Sequence, residues 1–201
     1  MSDLFHDKAA DWDARPVPQQ ISEGVGAAML DALTLAPTAT VMDFGAGTGL
    51  VAAQIAPKVA QVLAVDVSPA MLAQLAAKPA LQGKVETVCQ DILSAPLGRQ
   101  VDVVVSAMAA HHVQDTAGLF AALAAHLRPG GQLALADLDA EDGSFHPPGI
   151  EGVFHAGFDR AAIAAHAEAA GFSEVGFRTA CTVEKEGRPY PIFLLTARRG
   201  G

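Results

Sequence analysis

Three glycines at alternate positions, Gly45, Gly47 and Gly49, follow the apolar pair Val41 and Met42, and Asp43 stands two residues ahead of the first glycine. Glycine suits places where the backbone must turn tightly and let a ligand approach without Cβ atoms in the way. A dinucleotide turn has the spacing G-x-G-x-x-G. Here the spacing is G-x-G-x-G, with Ala46 between the first two glycines and an acid in front. A carboxylate at that place sits badly beside a pyrophosphate. It suits a cationic group, such as an amino acid amine or a sulfonium, through charge-assisted hydrogen bonds. A bare strand-to-helix turn and a dinucleotide site remain the alternatives at this point.

Further polar residues follow at the ends of apolar runs. Asp66 and Val67 close "QVLAVDV", where a carboxylate can accept from ribose hydroxyls, as it also does in dinucleotide folds. Ser68 already fills the cap of the next helix, so Asp66 is not needed there. Asp91 and Ile92 close "KVETVCQDI"; an acid there can accept from an adenine amino group while the isoleucine packs on the ring. Met71 is spaced to cover the other ring face, or else to pack in the core. His111 and His112 follow "VDVVVSAM". Either ring can accept a proton near neutral pH, or simply bond the loop backbone. A stretch over 139–158, with Asp137 just before it, carries Asp139, Glu141, Asp142, His146 and His155. Phe145, Phe154 and Phe158 would give it an apolar underside facing an organic substrate. No tight His or Cys spacing supports a metal there, so none is expected.

The elements that must position these groups alternate strand and helix. Residues 3–36 read as helical, with Ile21, Val25, Met29 and Leu33 forming one stripe, broken by Pro16 and Pro18 and closed by Pro37. "TVMDF", "QVLAVDV", "KVETVCQDI", "VDVVVSAM", "QLALADL", "EVGFRTA" and "PIFLLTARR" are strand candidates. Helices are predicted over about 50–56, from Ser68, along Leu119, Leu123 and Leu127, and from Asp159 to Gly171. Such alternation predicts one α/β domain over 1–201, a mostly parallel sheet with helices on both faces. The stretch over 139–158 is long for a connection in a compact domain and reads as a lid.

Composition narrows the partners. Acidic residues outnumber basic ones by 22 to 13, with no basic stripe for nucleic acid. No apolar run suits a membrane span, and the charged opening "MSDLFHDKAADWDARP" lacks the block of a secretory signal. Cys89 and Cys181 read as reduced core thiols in strands, which suits a cytoplasmic protein. A small-molecule partner is favoured.

Asp43 with its three glycines, then Asp66, then Asp91 and Ile92, then "SAMAAHHV" and "LRPGG", resemble class I S-adenosylmethionine-dependent methyltransferases. The resemblance is nearest the small-molecule branch similar to ubiquinone and menaquinone biosynthesis enzymes. It implies a Rossmann-like seven-stranded sheet of order 3-2-1-4-5-7-6 with the last strand antiparallel. It implies S-adenosyl-L-methionine as cofactor, S-adenosyl-L-homocysteine as product, and a small organic methyl acceptor. Gly45, Ala46, Gly47 and Gly49 would lie against the methionyl part, Asp66 against the ribose, Asp91 and Ile92 against adenine, and Ser106 or Ala107 beside the methyl group. The leader "FHDKAADWD" resembles the family segment that closes over the cofactor, with Trp12 as contact or packing anchor. His111 is the first choice for a base and His112 the second. A cofactor-binding regulator without turnover and an NAD(P)-dependent oxidoreductase are the competing readings.

Overall fold

The computed structural model describes residues 3–201, so the first two residues of the helical segment expected over 1–37 lie outside the described residues. Seven strands form one sheet: β1 (Thr40–Phe44), β2 (Gln61–Asp66), β3 (Val85–Cys89), β4 (Val101–Ala107), β5 (Leu127–Leu138), β6 (Phe172–Lys185) and β7 (Arg188–Arg199), in the order β3-β2-β1-β4-β5-β7-β6. The first five run parallel, and β7 is antiparallel to both β5 and β6. This is the fold that the motifs imply.

The helices are α1 (Pro16–Ala32), α2 (Ala52–Ile55), α3 (Pro69–Ala76), α4 (Thr116–His126) and α5 (Arg160–Ala169). Side chains alternate across each strand, and both faces are apolar. Val41, Val62, Ala64, Val103 and Val105 pack with Ile21, Val25 and Met29 of α1, Ile55 of α2, and Leu72 and Leu75 of α3. On the opposite face Met42, Leu63, Val65 and Val104 pack with Leu119, Phe120 and Leu123 of α4 and Ile163 of α5. Both faces are therefore sealed, and ligands are left the crevice at the carboxyl ends of the strands.

Several boundaries differ from the sequence reading. The leader His6–Ala14 is a 3₁₀ segment, and α1 stops at Ala32. Leu33 turns extended, and the backbone of Thr34 pairs at 3.0 and 2.9 Å with the side-chain amide of Gln132 on β5, a contact ninety-eight residues away in sequence. β6 and β7 are longer than their apolar runs. Glu186 (φ 54°) and Gly187 (φ 76°) make the two-residue turn with both φ positive that joins twisted antiparallel strands. Pro189 and Pro191 fit in β7 because β5 pairs only as far as Ile192, so beyond it β7 has one partner. The cysteines are not core thiols: Cys89 is exposed at the end of the edge strand β3, Cys181 is half-buried, and both are unpaired. No helix among the described residues is long and apolar enough to cross a membrane.

Candidate active site

The glycine turn begins where β1 ends. Gly45 and Ala46 donate their N–H groups to the Val65 carbonyl at 2.9 and 3.1 Å, tying the turn to β2. Gly45 has φ 69° and a Cβ there would come within 2.3 Å of the Ala109 Cβ, whereas a Cβ on Gly47 (φ 53°) would meet nothing within 4 Å. One position is closed by the fold, and the other is open to a ligand. Asp66 Oδ2 accepts from the Gly47 N–H at 2.7 Å and its Oδ1 accepts from the Ser68 N–H at 2.8 Å. Asp43 is buried beneath the turn, and its Oδ2 has no hydrogen-bond partner. Burial, and then the nearby charge of Asp66, push the Asp43 carboxyl up to about 8. A buried carboxyl with one oxygen unpartnered, beside an open glycine backbone, fits a cationic ligand group, which would supply the missing charge.

A cavity of about 850 Å³ opens from this turn, within the range that takes small organic ligands. Asp43, Gly45, Ala46, Gly47, Asp66, Val67, Met71, Asp91, Ala107 and Trp12 line it, as do His111 and His112. Three residues expected at the site are not among its lining. Gly49 faces Leu75 and Leu81, close enough that a Cβ would lie 2.7 Å from Leu75 Cγ. Ile92 packs in the α4-side core, and Leu93 and Gln90 line the cavity in its place. Ser106 is fully buried, because strand alternation gives the cavity side to Ala107.

His111 is fixed by a residue of β5. Asp137 is fully buried, and its Oδ1 accepts from His111 Nδ1 at 2.7 Å and from the Leu138 N–H at 2.8 Å, while its Oδ2 accepts from the His111 N–H at 3.1 Å. Burial alone would raise this carboxyl, but the His111 ring and the three hydrogen bonds hold it below the usual range. An ionised Asp137 only accepts, so His111 Nδ1 faces it with a proton and Nε2 is the ring nitrogen left for another partner. His111 Nε2 is buried and unpartnered. The chain reaches this position through Met108, held at φ 55° by its N–H bond to the Ala136 carbonyl. A non-glycine residue in that conformation stores strain that the surroundings must enforce.

Two more imidazoles stand beside it. The His112 ring lies 4.1 Å and the His146 ring 5.0 Å from that of His111. His112 Nδ1 bonds the Gly152 carbonyl at 2.6 Å, while His146 Nε2 is buried without a partner. Burial first, and then the neighbouring His111, hold both His112 and His146 down to about 4. Each stays neutral in the folded protein while its unfolded counterpart protonates near 6.5. Stability is therefore expected to fall as pH drops from about 6.5 toward 4. A thermal-melting series for wild type and His146→Gln checks this: the variant should lose less stability across that window, and equal slopes would exclude His146 as a source.

The 139–158 stretch divides. Asp139 pairs with both sides of the Arg160 guanidinium at 2.6 and 2.7 Å, Glu141 Oε2 accepts from the Ser144 and Phe145 N–H groups, and Asp142 pairs with Arg188. These acids hold the loop together and do not line the cavity. Phe145 lines it, with Pro147 and Ile150. Phe158 is buried in the α4-side core, Phe154 is 52 % exposed, and His155 bonds Thr116 and the Val113 carbonyl. The leader crosses from the other side. Asp3 accepts from Ser68 Oγ at 2.9 Å, Asp13 accepts from Thr48 Oγ1 at 2.5 Å and pairs with Lys78 at 2.6 Å, and Phe5 and Trp12 line the cavity. The sequence reading grouped Asp137 and His146 with the acids and histidines of a substrate-reading lid; the structure sets Asp137 behind His111 and His146 beside it. The signal for Asp137 was a lone acid inside the apolar run "QLALADL".

A family model described as a methyltransferase domain matches residues 41–131. An uncharacterized methyltransferase of Mycobacterium tuberculosis is 36% identical over 109 residues, covering 54% of this chain and 55% of that protein. The chain spans about half the length of the curated relatives it matches. The partner chain in a complex with the Haloferax volcanii Trm112 methyltransferase activator superposes over 100% of both chains with a TM-score of 0.81 at 17% identity. The N-methyltransferase NodS of Bradyrhizobium japonicum, solved with S-adenosyl-L-homocysteine, superposes over 99% of this chain and 95% of its own with a TM-score of 0.74 at 16% identity.

Proposed function

We propose that this chain, whose residues 41–131 match a methyltransferase domain and whose sheet has the order β3-β2-β1-β4-β5-β7-β6, transfers a methyl group from S-adenosyl-L-methionine to a small organic acceptor by in-line displacement. The observation that carries this reading is Asp43, a buried carboxyl with one oxygen unpartnered beside the glycine turn of the cavity. A pyrophosphate would disfavour its ionised form still further and find no charge to pair with, whereas an α-amine or sulfonium would favour the carboxylate and pair with it.

When bound, the cofactor supplies a methyl group already activated on its sulfonium sulfur. The protein binds and orients. Asp43 pairs with the cationic part, the open backbone at Gly47 admits the methionyl chain, and Asp66 and Asp91 accept from the nucleoside. Val67, Met71 and Leu93 cover the ring, and Ala107 leaves room beside the methyl group. Phe5 and Trp12 of the leader, with Phe145, Pro147 and Ile150 of the 139–158 loop, exclude water from the crevice, and orientation in such a site supplies most of the rate. His111, aligned by Asp137, takes a proton where the nucleophile must lose one.

Calorimetry with S-adenosyl-L-methionine, S-adenosyl-L-homocysteine and NAD tests the reading. Binding of the first two without NAD is expected, and tight NAD binding alone would overturn it. Asp66→Ala is expected to weaken S-adenosyl-L-methionine binding by at least about tenfold, since charge-assisted hydrogen bonds are lost. An unchanged dissociation constant would remove Asp66 from the site.

A further inference from the structure

The cavity lining includes groups that cofactor binding does not use. His111 and His146 each keep a buried Nε2 with no partner in the protein, and both rings line the same cavity. Val17, Ile21, Met108, Phe145 and Ile150 also line it. Of the four acids in the lining, Asp43 and Asp66 belong to the glycine turn. Asp91 accepts from the Leu93 N–H at 3.0 Å, and Asp115 caps α4 through the Gly118 N–H at 2.9 Å. Asp137 is committed to three hydrogen bonds around His111. The cation Lys185 does stand here, donating to the Phe145 carbonyl at 2.5 Å. An ammonium acceptor between His111 and His146 would meet two imidazoles and the Lys185 ammonium, and Asp137, the carboxylate behind His111, already accepts three hydrogen bonds.

On the reading that the glycine turn holds the cofactor, we propose that the part of the cavity lined by His111 and His146 takes an apolar acceptor bearing an ionisable hydroxyl of phenol type, its oxygen held between the two rings. The hydroxyl O–H bond breaks, its proton forms an N–H bond at His111 Nε2, and the bonding pair stays on oxygen. The charge that appears on the His111 ring faces the Asp137 carboxylate through Nδ1–H. His146, in the tautomer with Nε2–H, donates to the oxygen as its charge grows. His112 and His146 lack a carboxylate behind them, and burial keeps both neutral at neutral pH. His111 is the proton acceptor of the three, and Asp137 is its positioning residue.

The test uses 4-nitrophenol, whose phenolate absorbs in the visible, titrated into the full chain with and without S-adenosyl-L-homocysteine. Its comparison is 4-nitrobenzylamine, matched in ring and nitro group but carrying an ammonium. The dye is expected to bind, and its phenolate band to emerge at lower pH than in free solution. His111→Ala and Asp137→Asn should abolish that shift. His146→Phe should weaken dye binding by about tenfold or more and His146→Gln by less, with S-adenosyl-L-homocysteine affinity unchanged in both. Melting curves confirm that the variants fold, and the wild-type band shift needs no variant. The proposal is overturned if the dye fails to bind, if it binds without a band shift, if the shift survives His111→Ala, or if the amine binds as tightly. Failure of S-adenosyl-L-homocysteine to bind strikes the cofactor reading instead, and is read in a separate titration.

Discussion

Replacing Asp43 with asparagine is expected to weaken S-adenosyl-L-methionine binding about a hundredfold, the scale on which a buried charge pair loses one partner. The wild-type carboxyl is pushed up to about 8, so at pH 7 it is largely protonated before the ligand arrives. A cation pairing with it favours the charged form, and binding at pH 7 should therefore release close to one proton. Calorimetry in buffers of different ionisation enthalpy reads that release directly, and Asp43→Asn should abolish it. Folding carries the same sign. A group whose folded pKa is raised stabilises fully below its unfolded value and loses that contribution as pH rises through the folded one. The Asp43 contribution is thus lost as pH rises from about 4 to 8, opposing the histidine contribution below 6.5, and the asparagine variant should lack it, most visibly between about 6.5 and 8. Proton release that persists in the variant would point to Asp66, the other raised carboxyl at this turn.

His111→Ala is expected to lower turnover by about 10²- to 10⁴-fold with cofactor affinity kept, the usual contribution of a positioned base. Asp137→Asn should fall close behind it, because the two act as one unit and their losses do not add. Asparagine keeps the shape but offers His111 Nδ1 an amide that can impose the wrong tautomer. Two readouts separate a base from a merely structural histidine. The loss should appear in kcat with the dissociation constant of S-adenosyl-L-homocysteine unmoved, and added imidazole should restore part of the turnover of His111→Ala. Unaltered turnover in either variant would remove the dyad from the chemistry.

Particular residues explain how far the sequence could be read. The strands themselves were legible because "TVMDF", "QVLAVD" and "VDVVVSA" are largely apolar runs, as burial on both faces demands, whereas their order came from the family resemblance. Ser68 and Asp159 announced their helices, and both cap them through N–H groups three residues on. The ends of α1 and of the last hairpin were not legible. A glutamine on β5 stops the first, and the polar stretch "TVEKEGRPYP" hides two strands that pair only with each other. Ile92 and Ser106 show the same limit at the site. Each stands one residue from the side chain that lines the cavity, and strand and turn geometry choose between neighbours of opposite orientation.

By itself the sequence determined the glycine turn, its leading acid and the carboxylates at the strand ends, because these lie within short segments whose backbone conformation is local. Only the tertiary structure decided that Asp43 would be left buried with one oxygen unpartnered. It alone put Asp137 behind His111 across twenty-six residues, and brought His146 to the same cavity from the loop beyond β5. Desolvation and side-chain convergence depend on how β1, β4 and β5 stack side by side. No local pattern of residue types encodes that distance.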